Sequence, residues 1–123
     1  MAFADGAAAV MVGHLQSRGL TRPGEPATQS RAALSRLRSQ AGPGTVIITD
    51  SLSMAAASSA RGLSESEAVV ASLRAGADWA MVCSTRTTAV VKAVGRAIDD
   101  GRLDRAQLMQ SARRIDALRR SVG

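Results

Sequence analysis

The sequence predicts an α/β fold with parallel strands, and three observations carry that prediction. Three short apolar runs, at Ala7 to Gly13, Thr45 to Asp50 and Asp78 to Cys83, have the unbroken character of buried parallel strands. Segments with apolar residues at helical spacing separate them. The resulting order, β-α-β-α-β-α-α, implies right-handed crossovers onto one parallel sheet. Three strands make an incomplete sheet with two edges to cover, and no strand pattern before Ala7 or after Cys83 adds a fourth. The chain therefore reads as a piece of a larger α/β domain, or as a module completed by a partner chain.

The elements follow in order. Ala-Ala-Ala-Val-Met-Val-Gly (Ala7 to Gly13) is the first strand, with His14 at its carboxyl end. Leu15 to Ala27 is a loop rich in Gly and Pro, long enough to suggest a function. Thr28 is the expected N-cap of a helix over Gln29 to Gln40, in which Ala33, Leu34 and Leu37 face inward and arginines face out. Gly42-Pro43-Gly44 ends it. Thr45 to Asp50 is the central strand, a β-branched run that stops on a carboxylate. Ser51 to Gly62 is small and polar, with a short helix expected around Met54 to Ser59. Ser64-x-x-Glu67 is a capping box opening a helix to Ala75, with Ala68, Val69 and Leu73 inward and Gly76 as its C-terminal stop. Asp78 to Cys83 is the third strand. Thr87 to Asp99 is a helix with Val90, Val91, Val94, Ala97 and Ile98 apolar, stopped by Gly101. Asp104-x-x-Gln107 is a second capping box, opening a last helix that carries Leu108, Ala112, Ile115 and either Leu118 or Ala117.

Composition narrows the function classes. The 123 residues suit one domain with one modest core. Hydrophobic residues make up 46% and aromatics 2%, so the core is built from Ala, Val, Leu, Ile and Met rather than from rings. No apolar stretch is long enough for a membrane span. The segment from Met1 to Met11 lacks the basic region of a signal peptide and reads as the run-up to a strand. Compartment is left open. Cys83 is the single cysteine, which rules out an internal disulfide and a cysteine metal site, and its apolar run suggests a buried core thiol. The net charge of +6 comes mostly from arginine, since Lys92 is the only lysine. The densest group, Arg113, Arg114, Arg119 and Arg120, lies on the last helix. Without interleaved aromatics it reads as a solvated face rather than a nucleic-acid surface. No phosphate-cradling glycine loop follows a strand, no Gly-x-Ser-x-Gly elbow is present, and no metal-ligand cluster is visible.

Ligands of α/β proteins sit beyond the carboxyl ends of parallel strands, and Asp50 stands at such an end. Taken alone, it reads more readily as an Asp that caps the next helix or hydrogen-bonds the loop. The residues around it carry a family pattern. Ile48-Thr49-Asp50-Ser51-Leu52-Ser53-Met54 resembles the strand-end motif of family 3 glycoside hydrolases, in the β-N-acetylhexosaminidase branch, which reads approximately Ile-(Phe)-(Ser/Thr)-Asp-Asp-Leu-Ser-Met. Val10-Met11-Val12-Gly13-His14 is similar to the preceding barrel strand, and Glu25-Pro26-Ala27-Thr28-Gln29-Ser30 to the entry of the next helix. Ala75-Gly76-Ala77-Asp78-Trp79-Ala80-Met81-Val82-Cys83 resembles the last strand. Leu103 to Arg114 resembles the closing helix, with its Ser-x-x-Arg. The likeness runs in register along nearly the whole chain.

The resemblance implies that residues 1–123 are the last three βα units of a (β/α)8 TIM-type catalytic barrel. Asp50 would be the nucleophile of a retaining glycosidase, forming a covalent glycosyl-enzyme that water then releases. His14 and Met54 are the candidate substrate contacts, with packing at a strand end as the plainer role of His14. The implied substrate is terminal β-linked N-acetylglucosamine, as in peptidoglycan fragments, and neither metal nor cofactor is implied. Two departures stand out. The family's acid/base loop, Lys-His-Phe-Pro-Gly-His-Gly-like, belongs to an earlier unit and has no match here. The second Asp of the Asp-Asp pair is Ser51. A chain without the acid/base is expected to be inactive alone.

Overall fold

In the computed structural model, which describes residues 6–123, two strands pair in parallel. β1 (Ala9–Val12) lies beside β2 (Val46–Thr49), with Ala9 opposite Val46 and Val12 opposite Thr49. The intervening α1 (Arg31–Ala41) is the crossover that parallel pairing requires. α2 (Glu65–Ala75), α3 (Thr87–Asp99) and α4 (Arg105–Val122) follow. Single 3₁₀ turns occupy Ala27–Gln29 and Ser59–Arg61. The expected run-up over Met1 to Asp5 lies outside the described residues. Among the described residues, no helix is long and apolar enough to cross a membrane.

The core has two parts. Leu34, Ile47, Ala75 and Ala77 pack between the sheet and its helices, joined by Val10, Val12 and Leu37. A larger group, including Leu52, Val69, Val70, Leu73, Val90 and Leu103, gathers α2, α3 and the loop after β2. Leu34, Ile47 and Leu52 are wholly buried, each contributing about 1.5–3 kcal/mol by removal from water. Strand alternation sends the neighbours of Val10, Val12 and Ile47 to the other face. There Met11 is 57% exposed and Trp79, whose residue bridges to Ile48, is 38% exposed. That second face is apolar and partly open: Val46 on it is fully buried and Ile48 half-buried, while Met11 and Trp79 reach solvent.

The third predicted strand does not form. Only Trp79 makes a parallel bridge, to Ile48. The Trp79 amide donates to the Ile47 carbonyl at 3.1 Å, and the Thr49 amide to the Trp79 carbonyl at 3.0 Å. Beyond that point the ladder breaks. The Met81 amide turns to the Thr49 hydroxyl at 3.0 Å, and the Met81 carbonyl accepts from Leu52 rather than Ser51. The Ser51 amide is already taken by its neighbour's carboxylate, Asp50 Oδ1, at 2.7 Å. Asp50 thus diverts the backbone where a strand pair would have continued. Cys83, expected in the core, is exposed, because the extended segment runs out past the sheet end.

Other expectations shift locally. Ser30 caps α1 by accepting from the Ala33 amide at 3.3 Å, displacing Thr28, which sits in the 3₁₀ turn before it. The capping box of Ser64 and Glu67 forms as read, and Gly76 ends α2 at φ 124°. Asp104 caps α4, but its box stays open. Gln107 donates instead to the Leu73 carbonyl at 3.1 Å, tying α4 to α2. The short helix expected around Met54 to Ser59 is a run of turns, with the 3₁₀ turn starting only at Ser59. Val91 and Ala112 face solvent, while Ser111 is the buried residue of α4.

Asp78 explains that last exchange. Its side chain is fully buried and accepts from the Ile47 amide at 2.9 Å, Ser111 Oγ at 2.7 Å, Arg114 at 2.9 Å and Arg38. Burial alone pushes this carboxyl up. The Ile47 amide, the Ser111 hydroxyl and Arg38 together outweigh it and hold the carboxyl below its ordinary value. Ser111 and Arg114, the Ser-x-x-Arg of the closing helix, are therefore ligands of Asp78. Arg120 pairs with Asp116 at 2.7 Å. Two of the four arginines of the basic helix are thus held by carboxylates.

Candidate active site

The site assembles at the carboxyl ends of both strands. The Asp50 amide donates to the Val12 carbonyl at 2.8 Å, which extends the parallel register by one step and brings Asp50 beside the end of β1. Two residues past Val12 comes His14. Its Nε2 lies 2.7 Å from the Ser51 carbonyl oxygen, and its Nδ1 lies 2.8 Å from Thr28 Oγ1. A carbonyl only accepts, so Nε2 carries the proton and, in the neutral ring, Thr28 donates to Nδ1. Met54 donates its amide to the same Ser51 carbonyl at 3.2 Å. Asp50, His14 and Met54, the three residues nominated from sequence, therefore meet around one residue, Ser51.

Asp50 is half-buried. Its Oδ1 accepts from the Ser51 amide, and Oδ2 accepts nothing from the described residues. One carboxylate oxygen is fixed and the other left open, which is a suitable arrangement for attack or for binding a hydroxyl. Met54 is 47% exposed beside it. His14 has both ring nitrogens engaged by the fold, so it serves as a strut between the loop after β1 and the loop after β2.

Three further anchors hold the loop that carries Ser51 to Gly62. Leu52 is buried without residual exposure. Gln29, itself buried, donates to the Ala57 carbonyl at 2.7 Å and accepts from Arg61. Ser53 donates to Glu65 and accepts the Cys83 amide at 3.0 Å, while Ser84 donates to the other oxygen of Glu65. The Ser53 and Ser84 hydroxyls lower the Glu65 carboxyl from its ordinary value, against a small opposing effect of burial, and Arg86 adds to the lowering. Sequence reading gives Glu65, Thr28 and Gln29 no role at the site, with Thr28 expected as a helix cap and Gln29 as a helix start. Glu65 lies within the capping-box segment, where a first-turn acid reads as helix support. Among the described residues, no group of three or more His, Cys, Asp or Glu side chains could hold a metal ion.

Parallel strands joined by a helical crossover, with a half-open carboxylate just past their carboxyl ends, define an α/β chain. The chain belongs to glycosyl hydrolase family 3, because the model of that family's N-terminal domain matches residues 1–118. It is 39% identical over 116 residues to the β-hexosaminidase LpqI of Mycobacterium tuberculosis, an alignment that spans 89% of this chain and 29% of the relative. A family 3 β-N-acetylglucosaminidase from Paenibacillus sp. superposes over 97% of this chain and 23% of its own, with a TM-score of 0.86 and 30% identity. A family 3 glycosyl hydrolase from Mycobacterium smegmatis does so over 91% and 36%, with a TM-score of 0.80 and 35% identity. The chain thus spans about a third or less of the proteins it resembles.

Proposed function

We propose that residues 1–123 are the carboxyl-terminal three βα units of a family 3 (β/α)8 barrel, and that Asp50 is the nucleophile of a retaining β-N-acetylhexosaminidase. The substrate is a terminal β-linked N-acetylglucosamine, with peptidoglycan fragments as its source. The observation that carries this reading is the disposition of Asp50. It stands at the carboxyl end of β2 with Oδ1 held by the Ser51 amide and Oδ2 free. A nucleophile must be ionised, rigid and open on one side, and it attacks the anomeric carbon to form the glycosyl-enzyme. His14 and Met54 border the sugar site. The apolar face with Met11 and Trp79 exposed supports the barrel reading, because interior residues of such barrels pack in layers from alternate strands.

The general acid lies outside this chain. His14, the single histidine, is spoken for by Thr28 and Ser51. General acid–base help is worth about 10² to 10⁴ in rate, so the 123-residue chain hydrolyses no N-acetylglucosaminide at a useful rate. Turnover of a chromogenic N-acetyl-β-glucosaminide that Asp50→Ala abolishes would overturn the inactivity. Co-expression with the five preceding βα units of a family member restores turnover, and Asp50→Asn removes it again; restored turnover that survives Asp50→Asn would exclude Asp50 as the nucleophile. A second reading rests on the unpaired outer edge of β1, which suits a non-catalytic module completed by a partner chain. Size exclusion separates the two: the module runs as a folded monomer or a defined complex, and the fragment associates without stoichiometry.

A further inference from the structure

A cavity of about 550 Å³ lies apart from Asp50, His14 and Met54, between the loop after β1, the first turn of α1, Arg61 and the outer face of α2. Arg22, Arg31, Arg61 and Arg74 line it, and Glu25 is its one carboxylate, leaving a net of three positive charges. None of the four arginines forms an ion pair among the described residues. Each guanidinium has five donors, and most are idle. Arg31 donates to the Arg74 carbonyl at 2.6 Å, and Arg61 to the Gln29 side chain. The guanidinium groups of Arg22 and Arg74 donate to no described residue. Glu25 accepts the backbone amide of Arg22 at 3.2 Å rather than a guanidinium.

A second feature points the same way. α1 opens onto this cavity, and its first turn holds no acidic residue. The amides of Arg31 and Ala32 donate to no described group, whereas Ala33 and Leu34 are satisfied by Ser30. Free amides and the positive end of a helix dipole favour an anion. Elsewhere, arginines brought together are neutralised, as Arg38 and Arg114 are by Asp78. Here like charges are gathered and left uncompensated.

We infer that this cavity binds a diphosphate group, either as inorganic pyrophosphate or as the diphosphate of a nucleotide. A diphosphate carries about three negative charges at neutral pH, matching the lining. Planar guanidinium forks of this kind bind phosphoryl oxygens bidentately. The volume falls within the range of small-molecule sites.

The test is calorimetric titration of the full 123-residue chain with inorganic phosphate, pyrophosphate and ADP. Saturable pyrophosphate binding, about tenfold or more tighter than phosphate, is expected. ADP equal to pyrophosphate means the diphosphate alone is read; ADP tighter means that a nucleotide is. Arg22→Gln is the deciding variant, since that guanidinium supports nothing in the fold, and Arg74→Gln is its companion. Each weakens binding about tenfold, while Arg113→Gln and Arg119→Gln on α4 leave it unchanged. Circular dichroism confirms that each variant retains its helices. Absence of saturable binding, phosphate binding as tightly as pyrophosphate, or equal weakening by the α4 variants would each overturn the inference.

Discussion

At the scale of the residue, Asp78 and His14 each join parts of the chain that are distant in sequence, by different physics. Asp78 is a buried charge made tolerable by four donors, two of them guanidinium groups. Asp78→Asn leaves Arg38 and Arg114 without their counter-charge, and removing one partner of a buried pair costs about 3–5 kcal/mol, measurable by urea denaturation. The pH dependence has a definite sign. The folded carboxyl sits below its unfolded value, so its contribution is present above about pH 4 and is lost as pH falls through the folded value. The wild-type chain weakens in that acid window, and Asp78→Asn shows the smaller loss there. His14→Ala strands the wholly buried Thr28 hydroxyl and removes a donor from Ser51, for about 1–3 kcal/mol. It also loosens the Met54 turn, which faster amide exchange at Met54 reports.

At the scale of the element, the four long helices were legible, and the third strand and the short helix near Met54 were not. Helix limits followed from side chains acting on their own backbone within a turn, as the Ser64 and Glu67 box shows. Ser64→Ala costs about 1 kcal/mol in a thermal melt. Gly76→Ala costs about 1–3 kcal/mol, because the backbone sits at φ 124°. An added Cβ would meet only Leu34 Cβ at an ordinary 3.7 Å, so the penalty is conformational rather than steric. The segment from Asp78 to Cys83 has strand composition, yet its ladder depends on what the opposing chain offers. The Asp50 side chain had already claimed the Ser51 amide that would have continued it. Composition cannot report such a competition. Nor could it report that Thr28 serves His14 instead of a helix end, since that pairing spans 14 residues of loop. The candidate site was legible as far as Asp50, His14 and Met54. Glu65, Thr28 and Gln29 support it from other elements, and only the folded chain brings them there.

At the scale of the whole molecule, the sheet has one packed face and one that is partly open at Met11 and Trp79. Exposed apolar surface at Met11 and Trp79 favours association and hydrophobic-dye binding, and the expected result is that Met11→Lys with Trp79→Ser reduces both, read by size exclusion and dye fluorescence. These positions lie outside both core clusters, so the double variant leaves the melting temperature nearly unchanged. A large drop in melting temperature would mean that the face is packed in solution. The Asp78 cluster also has a consequence in time. Ser111 and Arg114 are encoded 33 and 36 residues after the carboxylate they hold. At about 5–20 residues per second, a ribosome takes roughly 2–7 s to cover that gap. Through that interval the nascent chain has Arg38 and the Ile47 amide for Asp78, but not the closing helix. Docking of the sheet segment around Asp78 therefore waits until α4 has been made, and a chain cut short before Ser111 never acquires the second half of the clasp.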